Sequence, residues 1–129
     1  QVLTSTGAAA DPTFQAAAGL PAPDFESTQQ TVTKDTKLSV AHSIGAVPTL
    51  VQVVLVCTTA DLDYAVGDEL VMATYGGQRG TADEGVTIYS DGTNVHLVQG
   101  AEISLLSDTS FNGNITVVTR WRWVVRAWA

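Results

Sequence analysis

The sequence predicts an all-β fold, an antiparallel sandwich, and three observations carry that prediction. From Ser27 onward, short runs rich in Val, Ile, Thr and aromatic residues are punctuated by Gly, Asp, Asn and Pro. Candidate strands recur at roughly ten-residue spacing, as in sandwiches and barrels, and no amphipathic helix pattern competes with them. The 129 residues, 45% hydrophobic, can close one globular core and not comfortably two.

The elements follow in order. Residues 1–26 are rich in Ala, Pro, Thr and Gly, and Pro12, Gly19, Pro21 and Pro23 interrupt any longer helix. They are expected to form an extended arm or linker, with at most a helical turn around Phe14 to Ala18. Its scattered apolar residues, Val2, Leu3, Phe14, Leu20 and Phe25, suit a segment laid against a neighbour. Residues 27–129 are expected to form the sandwich. Its strands are read at Thr28 to Lys34, Lys37 to His42, Leu50 to Thr58, Leu70 to Thr74, Gly85 to Tyr89, Asn94 to Val98, Glu102 to Leu106 and Ile115 to Ala127. Ser90-Asp91-Gly92-Thr93 has the Asp-Gly chemistry of a tight hairpin, and Asn112-Gly113 marks the turn before the last strand.

The run Leu50 to Cys57 is apolar at both parities, whereas a strand with one face in water should alternate. Its outer face is therefore expected to pack on another copy of the chain, with the N-terminal arm as the other possible cover. In the last strand, Ile115, Val117, Trp121, Trp123, Val125 and Ala127 share the core parity, and Arg120, Arg122, Val124, Arg126 and Trp128 share the other. A row of arginines needs carboxylates opposite, from this chain or a neighbour. The expected contact between copies thus comprises Leu50, Gln52, Val54, Val56, Arg120, Arg122 and Arg126.

The formal net charge of −7 argues against neutralising nucleic-acid phosphates. One cysteine forms no internal disulfide, and Cys57, inside the most apolar run, reads as a packing thiol. No stretch approaches a membrane span, no export signal is visible, and the missing initiator Met suggests a fragment. The two histidines, His42 and His96, lie in no recognisable catalytic motif, and no phosphate-binding, zinc or nucleophile-elbow motif occurs, so no enzyme and no cofactor are expected. The acidic run Asp61 to Glu69 fails as a helix-loop-helix calcium loop: Ala65 and Val66 stand where a ligand and a glycine are needed, and Met72 where a glutamate is. Asn114-Ile115-Thr116 fits the glycosylation pattern, which is too short to carry weight.

Gln1-Val2-Leu3-Thr4-Ser5-Thr6-Gly7, running on to Pro12-Thr13-Phe14-Gln15, resembles a segment that recurs in the tail-fibre proteins of tailed bacteriophages. Leu38 to Pro48, the apolar strand after it, Tyr64-Ala65-Val66-Gly67-Asp68-Glu69 and the ending Trp123 to Ala129 are similar to the C-terminal tips of such fibres. The Pro-led apolar strand and Trp-rich last strand also resemble H-type lectins, which are trimeric sandwiches. These resemblances imply a homotrimer, an antiparallel β-sandwich with an extended N-terminal arm, located in the virion and made in the cytoplasm of a host bacterium. They imply a receptor-binding tip that adheres to a bacterial surface glycan or envelope protein and joins upstream tail-fibre or baseplate proteins, with neither nucleic acid nor membrane insertion. The other reading is a purely structural collar, fibre-joint or baseplate module without a ligand; a glycan-cleaving enzyme ranks last.

For the receptor contact, the expected patch is the glycine-rich stretch 75–84, which offers an aromatic, an amide, a cation and two acids as Tyr75, Gln78, Arg79, Asp83 and Glu84. Tyr64, His96 and Trp128 are the further candidates.

Overall fold

The computed structural model describes residues 2–4, 13–15, 20–111 and 113–129. β1 (Val2–Thr4) and β2 (Thr13–Gln15) pair antiparallel as a small sheet, so Phe14 and Gln15 are strand rather than helical turn; the rest of that expected turn lies outside the described residues. β3 (Phe25–Glu26), on the arm side of the boundary drawn from composition, pairs with the last strand.

Two antiparallel sheets form the body. One contains β3, β4 (Gln30–Thr31), β6 (Leu50–Cys57), β7 (Glu69–Met72) and β13 (Trp121–Trp128), in the order β3-β13-β6-β7 with β4 also on β13. The other runs in the order β5-β10-β9-β8, from β5 (Thr36–Ala41), β8 (Tyr75–Arg79), β9 (Ala82–Ser90) and β10 (Asn94–Gln99). A short hairpin of β11 (Ser104–Leu106) and β12 (Gly113–Ile115) completes the set. Among the described residues there is no α-helix, only a 3-10 turn at Val118–Arg120.

Alternation assigns the core as the sequence implies. Val53, Leu55, Cys57, Trp121, Trp123 and Val125 from the first sheet meet Val40, Val86, Val95 and Leu97 from the second, giving a β-sandwich with a single main core. Both buried indoles find acceptors: Trp121 Nε1 donates to Asp61 Oδ2 at 2.8 Å and Trp123 Nε1 to Gln99 Oε1 at 2.9 Å. Burial raises the Cys57 pKa, which suits a packing thiol.

Three expectations are corrected. First, the last strand does not run from Ile115 to Ala127. Thr116 bonds back to the Ile103 carbonyl, Val117 N–H donates to Asp61 Oδ2, and the 3-10 turn intervenes, leaving Val117 exposed. Arg120 therefore leaves the arginine row; it donates to the Ala60 carbonyl and lies 3.8 Å from Asp61. Second, residues 75–84 form a hairpin, not a loop. Gly85, at φ +126°, permits it, since a Cβ there would strike the Tyr75 carbonyl oxygen and lie 2.7 Å from Gly76 Cα.

Third, the middle of the outer face of β6 is already covered within the single chain. Val54 is 1% exposed within the single chain and clusters with Val56 and Val124. Arg126, opposite Gln52, hydrogen-bonds to Glu26 Oε2 at 2.6 Å, Gln52 Oε1 at 3.0 Å and both carboxylate oxygens of Glu69. Arg126 lies opposite Gln52 and Glu69 opposite Val56, so the guanidinium spans β6 diagonally to carboxylates of the same chain, and an arginine stem in such a position can lie on apolar surface. Arg122 donates to the backbone carbonyls of Thr119 and Trp121. Leu50 remains 45% exposed and Val71 on β7 70% exposed. Arg126→Ala should lower stability by about 1 kcal/mol in urea unfolding, because its half-exposed glutamates give screened pairs, and it should leave the number of copies per particle unchanged.

Candidate functional site

The outer face of the second sheet carries the polar and aromatic groups that converge. With Val95, Leu97 and Gln99 turned to the core, β10 presents Asn94, His96 and Val98 outward; β5 presents Lys37, Ser39 and Ala41, and β9 presents Thr87 and Tyr89. Register sets Ser39 opposite His96 and His96 opposite Tyr89, so these three form one row across three strands. The Tyr89 ring stacks on the imidazole with centroids 4.5 Å apart, and Lys37 Nζ lies 5.2 Å from the Tyr89 centroid. Tyr89 stays 43% exposed while His96 is buried at 7%.

Asp91, in the β9–β10 turn, anchors the row. Its Oδ1 accepts the N–H groups of Thr93 and Asn94, and its backbone carbonyl accepts from His42 Nε2. His42 Nδ1 accepts the Ile44 N–H, which assigns its proton to Nε2. Asp91 Oδ2 stands 2.7 Å from His96 Nε2, and Ser39 Oγ stands 2.8 Å from His96 Nδ1. A carboxylate only accepts, so the proton between Asp91 and His96 belongs to Nε2; in the neutral imidazole Nδ1 then accepts from the Ser39 hydroxyl.

The His96 hydrogen bond, followed by the two turn N–H bonds, holds the Asp91 carboxyl well below the usual carboxylate range. A depressed folded-state value stabilises the fold at pH above the unfolded carboxylate pKa of about 4, and that stabilisation is lost as pH falls through the lower folded value. The downfield resonance of the Nε2 proton should accordingly persist on acidification through pH ~4. Disappearance already above that pH would show that Asp91 and His96 are not hydrogen-bonded as described.

The other residues named from sequence are dispersed. Tyr75 is half-buried against the core, its hydroxyl bonded to the Ser104 backbone, and burial pushes its phenol up. It is therefore not the exposed aromatic of a binding loop. Gln78, Arg79 and Asp83 are exposed on the β8–β9 hairpin, and Glu84 is half-buried beside Glu102. Tyr64 braces the far end of the core, edge-on to Trp121 at 5.8 Å and donating to the Leu106 carbonyl. Trp128 donates to the Pro21 carbonyl. Only His96 enters the converging row.

The residues missed were Ser39, Tyr89, Asp91 and Lys37. Their signal was the turn Ser90-Asp91-Gly92-Thr93: a two-strand register counted outward from it sets Tyr89 beside His96. Next to the row, a cleft of about 330 Å³ lies between the sheets, lined in part by Val51, Val53, Met72, Thr74, Ile88 and Tyr89. The surface thus offers a partly open ring, a cation, a fixed carboxylate and a hydroxyl within one face, a set suited to stacking and hydrogen-bonding a polar, ring-shaped ligand. No protein-family model matches the chain, and no curated protein matches it.

Proposed function

We propose that this chain is the receptor-binding tip of a tailed-bacteriophage fibre and that it binds a bacterial surface glycan across the Ser39, His96 and Tyr89 row. The observation that carries the reading is Tyr89, a ring left 43% exposed on a sheet face and backed by the His96 imidazole. A sugar lays its apolar face on such a ring and turns its hydroxyls to polar neighbours. Asp91, to one side of the row, accepts hydroxyl hydrogen bonds, and Lys37, to the other, donates them. The resemblance of the arm, the apolar strand and the Trp-rich ending to fibre tips supports the phage setting. Trimerisation belongs to this reading through that resemblance and no longer through the outer row of β6. Several weak sites per particle would then add up to firm attachment through effective concentration.

An array of bacterial surface polysaccharides probed with the purified chain tests the site. Tyr89→Ala should weaken single-site binding roughly 2- to 10-fold, the worth of an aromatic contact, without altering thermal unfolding by more than a few degrees. Loss of binding with Arg79→Ala, together with unchanged binding by Tyr89→Ala, would move the site to the β8–β9 hairpin. Light scattering that reports three copies supports the fibre assembly, and a monomer at micromolar concentration removes it.

A further inference from the structure

The hydrogen-bonded series from Ser39 through His96 to Asp91 has an organisation that binding alone does not require. With the imidazole neutral, a hydroxyl donates to one nitrogen at 2.8 Å, the other nitrogen donates to a carboxylate at 2.7 Å, and that carboxylate is itself fixed by two backbone N–H groups. Ser39 is exposed, whereas the imidazole is buried under the Tyr89 ring. The nucleophile is thus open to substrate while its base is shielded from water. We propose that Ser39 is an acyl-accepting nucleophile and that this site hydrolyses short-chain carboxylic esters. The two nitrogens are used in the opposite sense from the serine-protease arrangement, yet the roles are the same, and such sites are defined by geometry and role rather than by sequence position.

In the first step His96 Nδ1 takes the Ser39 hydroxyl proton as Oγ attacks the ester carbonyl carbon, and the carbonyl electron pair moves onto oxygen. Lys37, two residues along β5 on the same outward face, would supply positive charge toward that oxyanion. Collapse breaks the bond to the alcohol oxygen, which takes the proton from Nδ1 and leaves acyl-Ser39. Water then gives a proton to Nδ1 and attacks the acyl carbon; release of the acid returns the proton to Ser39. The balance is ester plus water to alcohol plus carboxylic acid. Asp91 is a positioning residue: it holds the Nε2–H tautomer and faces the imidazolium as it forms. That the natural ester is an O-acyl group on a sugar hydroxyl rests on the glycan reading above; the nucleophile does not.

The test uses the full chain with p-nitrophenyl acetate and, separately, a fluorophosphonate. Expected are a phosphonyl adduct mapped to Ser39 by peptide mass spectrometry, and esterase turnover that Ser39→Ala lowers by about 100-fold or more. Asp91→Asn should lower kcat by a similar factor with little change in KM, and Asp91→Glu should restore part of it, a pattern a purely structural carboxylate would not give. Ser39→Ala removes an exposed hydroxyl and its one hydrogen bond to His96, so its thermal midpoint should fall by no more than a few degrees. No adduct on Ser39, turnover indifferent to Ser39→Ala, or labelling of a folded Asp91→Asn variant at the wild-type rate would each overturn the proposal. Glycan binding weakened in Tyr89→Ala with Ser39 labelling intact supports both readings; labelling with no glycan bound by the wild-type chain sinks the receptor reading alone.

Discussion

Asp61→Ala should destabilise the fold by about 3 kcal/mol, seen as a fall in the urea midpoint with an unchanged slope. Asp61 is 8% exposed, and its Oδ2 accepts both the Trp121 indole N–H and the Val117 backbone N–H. Trp121 is fully buried, so removal of the carboxylate strands a donor that water cannot reach without opening the core. Arg120, 3.8 Å away, would also lose its counter-ion, but it is half-exposed and adds little. Asp61→Asn keeps one acceptor oxygen and should cost less than half as much. Equal losses for the two variants would mean that charge, rather than the two accepted hydrogen bonds, gives Asp61 its weight.

Val53→Asp should leave the chain unfolded or aggregated at 37 °C. Val53 is 2% exposed on the inner face of β6, and a carboxylate there has no partner in the core, at a cost of about 4 kcal/mol or more. Circular dichroism and size exclusion read the outcome, and a soluble, cooperatively unfolding Val53→Asp would show that the strand faces the other way. The adjacent position separates two views of the outer face. Val54→Ala removes side-chain volume from the buried Val54, Val56 and Val124 cluster and should cost about 1 kcal/mol while leaving the copy number unchanged. Dissociation of an oligomer into folded monomers by Val54→Ala would restore the view of that face as a contact between copies.

The strands were legible where each residue's fate depends on alternation. Trp121, Trp123, Val125 and Ala127 announce the buried parity of β13, and Asp91-Gly92 announces the turn between β9 and β10. The missed strand β8 contains Gly76 and Gly77, residues with poor intrinsic strand preference, and it is held by pairing with β9. The end of the last strand was misread because Thr116 and Val117 are drawn aside by Ile103 and Asp61, partners far away in sequence. The apolar outer row of β6 was read as needing another molecule because hydropathy treats arginine as purely polar; the methylene stem of Arg126 is not. Of the candidate site, only His96 was visible, since Ser39, Tyr89 and Asp91 come together through strand register rather than through a contiguous motif.

The attachment of residues 21–26 to the chain's last residues has a mechanical consequence. The Trp128 indole holds the Pro21 carbonyl, the Ala129 N–H donates to Asp24, and Phe25 and Glu26 lie alongside Ala127 and Arg126. Tension applied at residue 20 is therefore borne first by this peripheral clasp and only afterwards by the packed tryptophans. Under a steady pull the clasp would peel before the sandwich yields, so residues 20–26 would extend while the Tyr89 face keeps its shape.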